Sequence, residues 1–132
     1  MTTTAKDMIA AANANVPRVS PAEARDMIAR GDVLVVDVRE APELEASGKI
    51  AGALHVTRGM LEFRADPASA SHDKAFVKDK TVIVYCASGG RSALSGKTLK
   101  DLGYSKVYNL GAFKDCVDRG GVIEKLVEKG MS

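Results

Sequence analysis

The sequence predicts an α/β fold with a mostly parallel central β-sheet and helices on both faces. Two apolar runs carry this prediction, Val33–Val36 and Thr81–Tyr85, because neither alternates with polar residues as a half-exposed strand would. Segments of helical composition separate the two runs, which implies parallel rather than hairpin-linked strands. In such a sheet, ligands bind beyond the carboxyl ends of the strands. We therefore expect a site after Val36 and Tyr85.

Length and composition limit the possible classes of protein. The chain has 132 residues, of which 45% are hydrophobic, so we expect one folded domain with one core. The formal net charge of +2 is small and dispersed, which argues against nucleic-acid binding. No apolar run approaches the roughly 20 residues that a membrane span needs. The N-terminus lacks a secretory signal pattern and the two cysteines fit reduced thiols, so we expect a cytoplasmic protein.

The first half of the chain contains clear helix and strand signals. Residues 1–16 are expected to form an accessory helix or extension, with its helix over Thr4–Asn13, and residues 17–132 the main domain. A capping box with proline at the first helical position marks the next helix start. The expected elements are an edge strand at Arg18–Ser20, a helix from Ser20 to Gly31, the strand Val33–Val36, a helix over Glu43–Ser47 and a strand at Ala53–Val56.

The second half begins with the least regular segment, Thr57–Asp79, in which only Gly59–Arg64 is helical in composition. Beyond it we expect the strand Thr81–Tyr85, a helix over Arg91–Leu102, the strand Lys106–Leu110, and helices over Ala112–Val117 and Val122–Lys129. Gly96 lies inside one of these helices, where glycine costs roughly 1 kcal/mol relative to alanine. We interpret it as a point where the helix approaches the sheet closely.

Cys86 is the candidate nucleophile. It follows the strand Thr81–Tyr85, and a short turn leads from it into a helix that Arg91 and Ser92 open. Backbone N–H groups and the positive end of the helix dipole should converge there and lower the thiol pKa. The alternative is that Cys86 is a small buried hydrophobic residue. The paired glycines Gly89 and Gly90 allow close approach of a ligand, and Arg91 is suited to bind an oxyanion. These neighbours favour a catalytic role for Cys86 over a purely structural one.

Three further polar residues are candidates near the same sheet edge. Asp37 and Arg39 follow the strand Val33–Val36, and we expect them to orient loops through hydrogen bonds rather than to react. Arg58 follows a strand end, so we expect it to project towards the mouth of the site and attract an anionic donor. His55 is expected to be packed or hydrogen-bonded. The two histidines have no cysteine near them in sequence, so neither a metal site nor a cofactor is predicted.

The segment from Cys86 to Ser92, placed after an apolar strand, resembles the active-site loop of rhodanese-like sulfurtransferases. Val36–Glu40 with Glu43 is similar to a second signature of that family, and Val107–Gly111 with Phe113 to a third. The resemblance runs from about Pro17 to about Val127 and implies a rhodanese-like fold. It implies that Cys86 is catalytic and that Arg58 and the rest of the loop contact the substrate. Asp37 and Arg39 are then expected to support the loop without contacting the substrate. The loop residues are Ala87, Ser88, Gly89, Gly90, Arg91 and Ser92.

The resemblance implies transfer of sulfane sulfur from a donor such as thiosulfate to a thiol or cyanide acceptor, through a persulfide on Cys86. A protein could also be the acceptor. One alternative is a persulfide carrier or protein-binding module without turnover. Another, a phosphatase or arsenate reductase, is less favoured because such relatives have one more residue between cysteine and arginine than the four found here. Cys116 occupies the place of a family tryptophan, and is interpreted as a buried residue rather than a resolving thiol.

Overall fold

A computed structural model of the chain describes residues 2–118 and 123–124. Its centre is a four-stranded sheet of order β3-β1-β4-β5, formed by β1 (Val33–Asp37), β3 (Leu54–His55), β4 (Thr81–Cys86) and β5 (Val107–Ala112). Every pairing in this sheet is parallel, so the carboxyl ends of the four strands lie along one edge. The predicted α/β class with a parallel sheet is confirmed.

In the described part of the chain, six helices surround the sheet: α1 (Ala5–Asn15), α2 (Pro21–Ala29), α3 (Ala41–Ser47), α4 (Leu61–Ala65), α5 (Gly90–Asp101) and α6 (Phe113–Asp118). A 3-10 turn, Arg58–Met60, precedes α4. The capping box expected at Ser20 is present, since the Ser20 hydroxyl accepts the Glu23 N–H and the Glu23 carboxylate accepts the Ser20 N–H. Among the described residues, none of the helices has the length and apolar character required to cross a membrane.

The core has two layers, one on each face of the sheet. Alternate residues of β4 supply both layers: Val82, Val84 and Cys86 face one, and Ile83 and Tyr85 face the other. The first layer is completed from the end of α1, α4 and α5 by Val16, Leu61 and Leu99. The second is completed from α2 and α6 by Ala24, Phe113 and Cys116. Burial of strands on both faces explains why β1 and β4 are continuous apolar runs.

Two predicted elements differ from the structure. The helix expected over Val122–Lys129 is wrong at Ile123–Glu124, which form β6 and pair antiparallel with β2 (Lys49–Ile50); its other residues lie outside the described part of the chain. The edge strand expected at Arg18–Ser20 is reduced to a single bridge between Arg18 and Asn109. The bridge cannot lengthen because Ser20 already caps α2.

The place of Gly96 also differs from the expectation. It faces Val16 at the end of α1 rather than the sheet, and a Cβ atom at Gly96 would lie 2.8 Å from Val16 Cγ1. Ala12 and Val16 are buried at this contact. The N-terminal helix α1 is therefore packed along α5, the helix that follows the cysteine.

Candidate active site

The sulfur of Cys86 lies in a tight turn between β4 and α5. Cys86 is the last residue of β4 and α5 begins at Gly90, so only three residues join strand and helix. Gly89 makes this turn possible because its φ of +105° lies in the left-handed region that favours glycine. The backbone N–H of Gly89 donates to Sγ at 3.0 Å, and that of Ser92 donates at 3.4 Å. The predicted convergence of loop amides on the thiol is present.

These donors decide the ionisation of the thiol. Burial has the largest single influence and would raise the pKa of Cys86, whose residue surface is 0% exposed. The Ser92 hydroxyl and the backbone N–H groups of Ser92, Gly89 and Ser88 act in the opposite direction. Together they outweigh burial and hold the pKa of Cys86 below its ordinary value. The turn therefore favours the thiolate, which is the nucleophilic form of cysteine.

The Ser92 hydroxyl has three acceptors but only one proton. Its oxygen lies 2.7 Å from Asn109 Oδ1, 3.1 Å from the Gly89 carbonyl oxygen and 3.4 Å from Cys86 Sγ. The Ser92 hydroxyl proton is thus shared among competing acceptors. At 3.0 Å, the backbone nitrogen of Gly89 lies closer to Cys86 Sγ than the Ser92 hydroxyl or backbone nitrogen does. Asn109 is completely buried beneath the loop and was not predicted as a site residue. The sequence feature that could have indicated its role is a single amide side chain inside the otherwise apolar or aromatic strand run Val107–Leu110.

Arg91 is the charged residue of the loop, and its guanidinium is paired with α3. Its Nη1 and Nη2 atoms donate to the two carboxylate oxygens of Glu43 at 2.7 and 2.9 Å. These hydrogen bonds hold the pKa of Glu43 at about 2 and raise the pKa of Arg91. Much of the positive charge that the sequence offers for an oxyanion is thus compensated by Glu43.

Asp37 and Arg39 form a buried ion pair behind the loop. Arg39 Nη2 donates to Asp37 Oδ2 at 2.8 Å and to the Gly48 carbonyl oxygen at 2.7 Å. Arg39 Nη1 donates to Ser47 Oγ at 2.9 Å. The guanidinium carbon lies 4.1 Å from the centre of the Phe113 ring. Within the described residues, the hydrogen bonds of this pair fix the segment after α3, and none reaches the Cys86 sulfur.

Arg58 does not reach the cysteine loop. Its Nη1 atom donates to Glu62 at 3.1 Å and its Nη2 atom to Thr98 Oγ1 at 3.1 Å. Thr98 lies six residues beyond Ser92 on α5, which corresponds to roughly 9 Å along the helix. The expectation that Arg58 projects towards the mouth of the site is therefore not met by this geometry.

The two histidines are engaged with backbone carbonyl oxygens. His55 Nε2 lies 2.7 Å from the Arg39 oxygen, and His72 Nε2 lies 3.3 Å from the Phe76 oxygen. Across residues 2–118 and 123–124, no group of three or more His, Cys, Asp or Glu side chains is arranged to hold a metal ion.

Cys116 lies on the other side of the sheet from the Cys86 side chain. It belongs to the core layer with Ala24 and Phe113, whereas Cys86 belongs to the opposite layer. Both thiols are free, and burial raises the pKa of Cys116. A buried, protonated thiol across a sheet is poorly placed to resolve a persulfide on Cys86.

Comparison with known proteins places this geometry in a family context. The rhodanese-like domain family model matches residues 20–116. A tRNA uridine(34) hydroxylase of Ehrlichia chaffeensis is 34% identical over 107 residues, which cover 80% of this chain and 35% of that protein. The chain thus spans about a third of the length of that relative. The human thiosulfate:glutathione sulfurtransferase is 30% identical over 80% of this chain and 97% of its own length.

Two solved structures extend the similarity to the whole fold. A Rhodopseudomonas palustris protein of unknown function, described as a possible tyrosine phosphatase, is 40% identical with a TM-score of 0.86, covering 94% of this chain and 96% of its own. The polysulfide-sulfur transferase homodimer of Wolinella succinogenes is 31% identical with a TM-score of 0.73, covering 95% and 90%. Together with a family match that spans the sheet and the cysteine loop, these similarities show that the chain belongs to the rhodanese-like domain family.

Proposed function

We propose that this protein is a sulfurtransferase that moves sulfane sulfur from an anionic donor such as thiosulfate to a thiol or cyanide acceptor. The observation that carries the proposal is the convergence of the Gly89 and Ser92 N–H groups on Cys86 Sγ. A sulfur atom held this way is a ready thiolate, and the same donors can stabilise the negative charge of a persulfide. The human relative that acts on thiosulfate and the Wolinella relative that acts on polysulfide support this class of reaction.

The first half-reaction is a displacement at sulfur. The Cys86 thiolate attacks the outer sulfur of thiosulfate and forms a new S–S bond. The sulfur–sulfur bond of the donor breaks, and its electron pair leaves with sulfite. The products are an anionic persulfide on Cys86 and sulfite, so charge and atoms balance and no external oxidant is needed.

The second half-reaction returns the enzyme to its starting state. An acceptor thiolate attacks the outer sulfur of the persulfide, and the bond to Cys86 Sγ breaks with its electron pair on Sγ. The acceptor leaves as a persulfide anion, or as thiocyanate when the acceptor is cyanide. The loop that stabilised the starting thiolate stabilises the same thiolate as leaving group, which favours a two-step displacement.

Phosphate chemistry is less well supported by the side chains around the loop. A cysteine phosphatase needs an acid that protonates the leaving oxygen. The two carboxylates nearest in the network, Asp37 and Glu43, are paired with Arg39 and Arg91, and the pKa of Glu43 is held at about 2. Glu43 is therefore not a proton donor at neutral pH, and Asp37 is held in its ion pair with Arg39. The short turn of four residues between Cys86 and Arg91 also favours sulfur transfer.

The test is intact mass after incubation with thiosulfate, combined with a thiosulfate-to-cyanide turnover assay. We expect the wild type and Cys116→Ser to gain the mass of one sulfur atom and to turn over, and Cys86→Ser to do neither. A persulfide on Cys86 without turnover to thiols or cyanide would instead identify a persulfide carrier. Absence of any Cys86-dependent persulfide, or Cys86-dependent hydrolysis of an aryl phosphate, would overturn the proposal.

A further inference from the structure

An arginine outside the cysteine loop lies beside it. Arg18 forms a parallel bridge with Asn109 of β5, because the Asn109 N–H donates to the Pro17 oxygen at 2.9 Å and the Val19 N–H donates to the Asn109 oxygen at 3.1 Å. Strand β5 is the direct neighbour of β4, and Ala112 pairs with Cys86. These contacts place the Arg18 backbone beside the middle of β5, on the side away from β4, and its side chain extends from there towards Gly111 near the carboxyl end of β5.

The Arg18 guanidinium extends over backbone that has no side chains. Gly111 has a φ of +91°, and a Cβ atom there would overlap Arg18 Nη2 and lie 3.1 Å from its Cζ atom. On the other side, Arg18 Nη1 lies 4.0 Å from the position that a Cβ atom on Gly89 would take. Gly89 is also the residue whose N–H donates to Cys86 Sγ. Two glycines from different strand ends therefore make room for this guanidinium beside the thiol turn.

The charge of Arg18 is not compensated within the described residues. Among residues 2–118 and 123–124, no carboxylate forms an ion pair with it, and no side-chain hydrogen bond engages its guanidinium. Arg91 and Arg58, the two arginines that the sequence offered for anion binding, are paired with Glu43 and Glu62. Arg18 is exposed, so its planar set of N–H donors faces solvent next to the turn.

We propose that Arg18 binds the anionic end of the sulfur donor, an oxyanion such as the sulfonate part of thiosulfate, while its outer sulfur faces Cys86. This inference rests on the proposed sulfur transfer and names a specificity residue for it. Guanidinium groups bind oxyanions through paired hydrogen bonds, and a positive charge here offsets repulsion between a thiolate and an anionic donor. Arg18 precedes the segment matched by the family model, residues 20–116, so the family pattern does not assign it.

Alkylation of Cys86 tests Arg18 without requiring sulfur transfer. Iodoacetate and iodoacetamide both alkylate a thiolate with loss of iodide, but only iodoacetate carries a negative charge. In a Cys116→Ser background, we expect Arg18→Gln to slow alkylation by iodoacetate about tenfold, the size of one charge-assisted hydrogen bond. Alkylation by iodoacetamide should change by less than about twofold, because the amide donors to Sγ remain. Arg18→Lys should retain part of the preference for iodoacetate.

The steady-state counterpart is the thiosulfate dependence of turnover. We expect Arg18→Gln to raise KM for thiosulfate about tenfold with little change in kcat at saturation. Arg30→Gln is the matched control, since Arg30 is an exposed arginine at the end of α2, near the amino ends of the strands. Thermal unfolding followed by circular dichroism verifies that each variant is folded.

The two proposals fail in different ways. An unchanged iodoacetate-to-iodoacetamide rate ratio in folded Arg18→Gln would overturn the role of Arg18, even if Cys86 still forms a persulfide. A changed ratio without any persulfide would uphold anion binding by Arg18 and overturn sulfur transfer. A Cys86 that reacts with neither reagent in the wild type would overturn both.

Discussion

The carboxylate of Glu43 accepts two hydrogen bonds from the Arg91 guanidinium, at 2.7 and 2.9 Å, and so joins α3 to the first turn of α5. The two side chains are 33% and 36% exposed. At that exposure solvent screens the pair, so we expect a contribution of about 1 kcal/mol to the free energy of unfolding. Because the pKa of Glu43 is lowered from 4.5 to about 2, this contribution should depend on pH.

The first prediction follows from the sign of that shift. A carboxyl with a lowered folded pKa stabilises the fold above its unfolded pKa and loses that effect as pH falls through its folded pKa. Glu43→Gln should therefore be about 1 kcal/mol less stable than the wild type at pH 6. The difference should shrink as pH falls from about 4.5 to about 2. Urea unfolding followed by circular dichroism measures it, because the chain has no tryptophan for fluorescence.

Glu45→Gln is the control for this prediction, since Glu45 lies on the same helix and is exposed. Its stability should follow the wild type at each pH. A Glu43→Gln deficit that stays constant down to pH 2 would show that the loss comes from packing rather than from the ion pair.

The second prediction concerns the buried pair of Asp37 and Arg39, whose side chains are 0% and 3% exposed. Asp37→Asn leaves the Arg39 guanidinium buried without a counter-charge, so we expect a loss of about 3–5 kcal/mol in the free energy of unfolding. Asp101→Asn, which breaks the exposed Lys97–Asp101 pair, should cost less than about 0.5 kcal/mol. Similar losses in the two variants by urea unfolding would contradict the structural role assigned to Asp37.

The third prediction concerns the pH dependence of Cys86. In a Cys116→Ser background, the ultraviolet absorbance of the Cys86 thiolate should titrate with a midpoint below that of an ordinary thiol, because the loop donors outweigh burial and lower the pKa. Ser92→Ala removes the hydroxyl and should move the midpoint upwards. Ser71→Ala, an exposed loop residue, should leave it unchanged. An unshifted midpoint in Ser92→Ala would mean that the Ser92 hydroxyl donates its hydrogen bond to Asn109 or Gly89 and does not stabilise the sulfur.

The fourth prediction concerns the contact between α1 and α5. Alanine at Gly96 gains helix propensity of about 1 kcal/mol, but its Cβ would lie 2.8 Å from Val16 Cγ1. We expect overpacking to win, with a net loss of up to about 2 kcal/mol for Gly96→Ala. In a Val16→Ala background, which removes the clashing methyl groups, the same change should be neutral or stabilising. A loss of equal size in both backgrounds would exclude the clash as its cause.

Local sequence patterns accounted for the sheet and the thiol turn, because both depend on adjacent residues. The apolar runs in β1 and β4 required burial on both faces, and the glycines after Cys86 required a tight turn into a helix. The arginines were predicted less well, since an arginine's partner is set by tertiary neighbours. The Arg58–Glu62 spacing of four residues was a readable sign of pairing. Arg18 reaches the turn only through pairing with β5, which no local pattern reveals.

The same limit explains the C-terminal error. The strand at Ile123–Glu124 exists because Lys49–Ile50 lie opposite it, and the Glu124 carboxylate accepts the Gly52 N–H at 3.1 Å. These partners lie more than seventy residues earlier in the chain. Asn109 was missed for a related reason, since its importance arises from the loop packed above it.

The backbone hydrogen bonds between Asn109 and the segment Pro17–Val19 have a consequence for solubility. Strand β5 is the last strand of the central sheet, and an unshielded outer strand can recruit a strand from a second molecule. The Pro17–Val19 segment covers part of this outer edge of the sheet through two backbone hydrogen bonds with Asn109. A shortened chain that starts after Val19 would expose the outer edge of β5 and would also lack Arg18. Aggregation and weakened affinity for the donor would then arise from a single deletion.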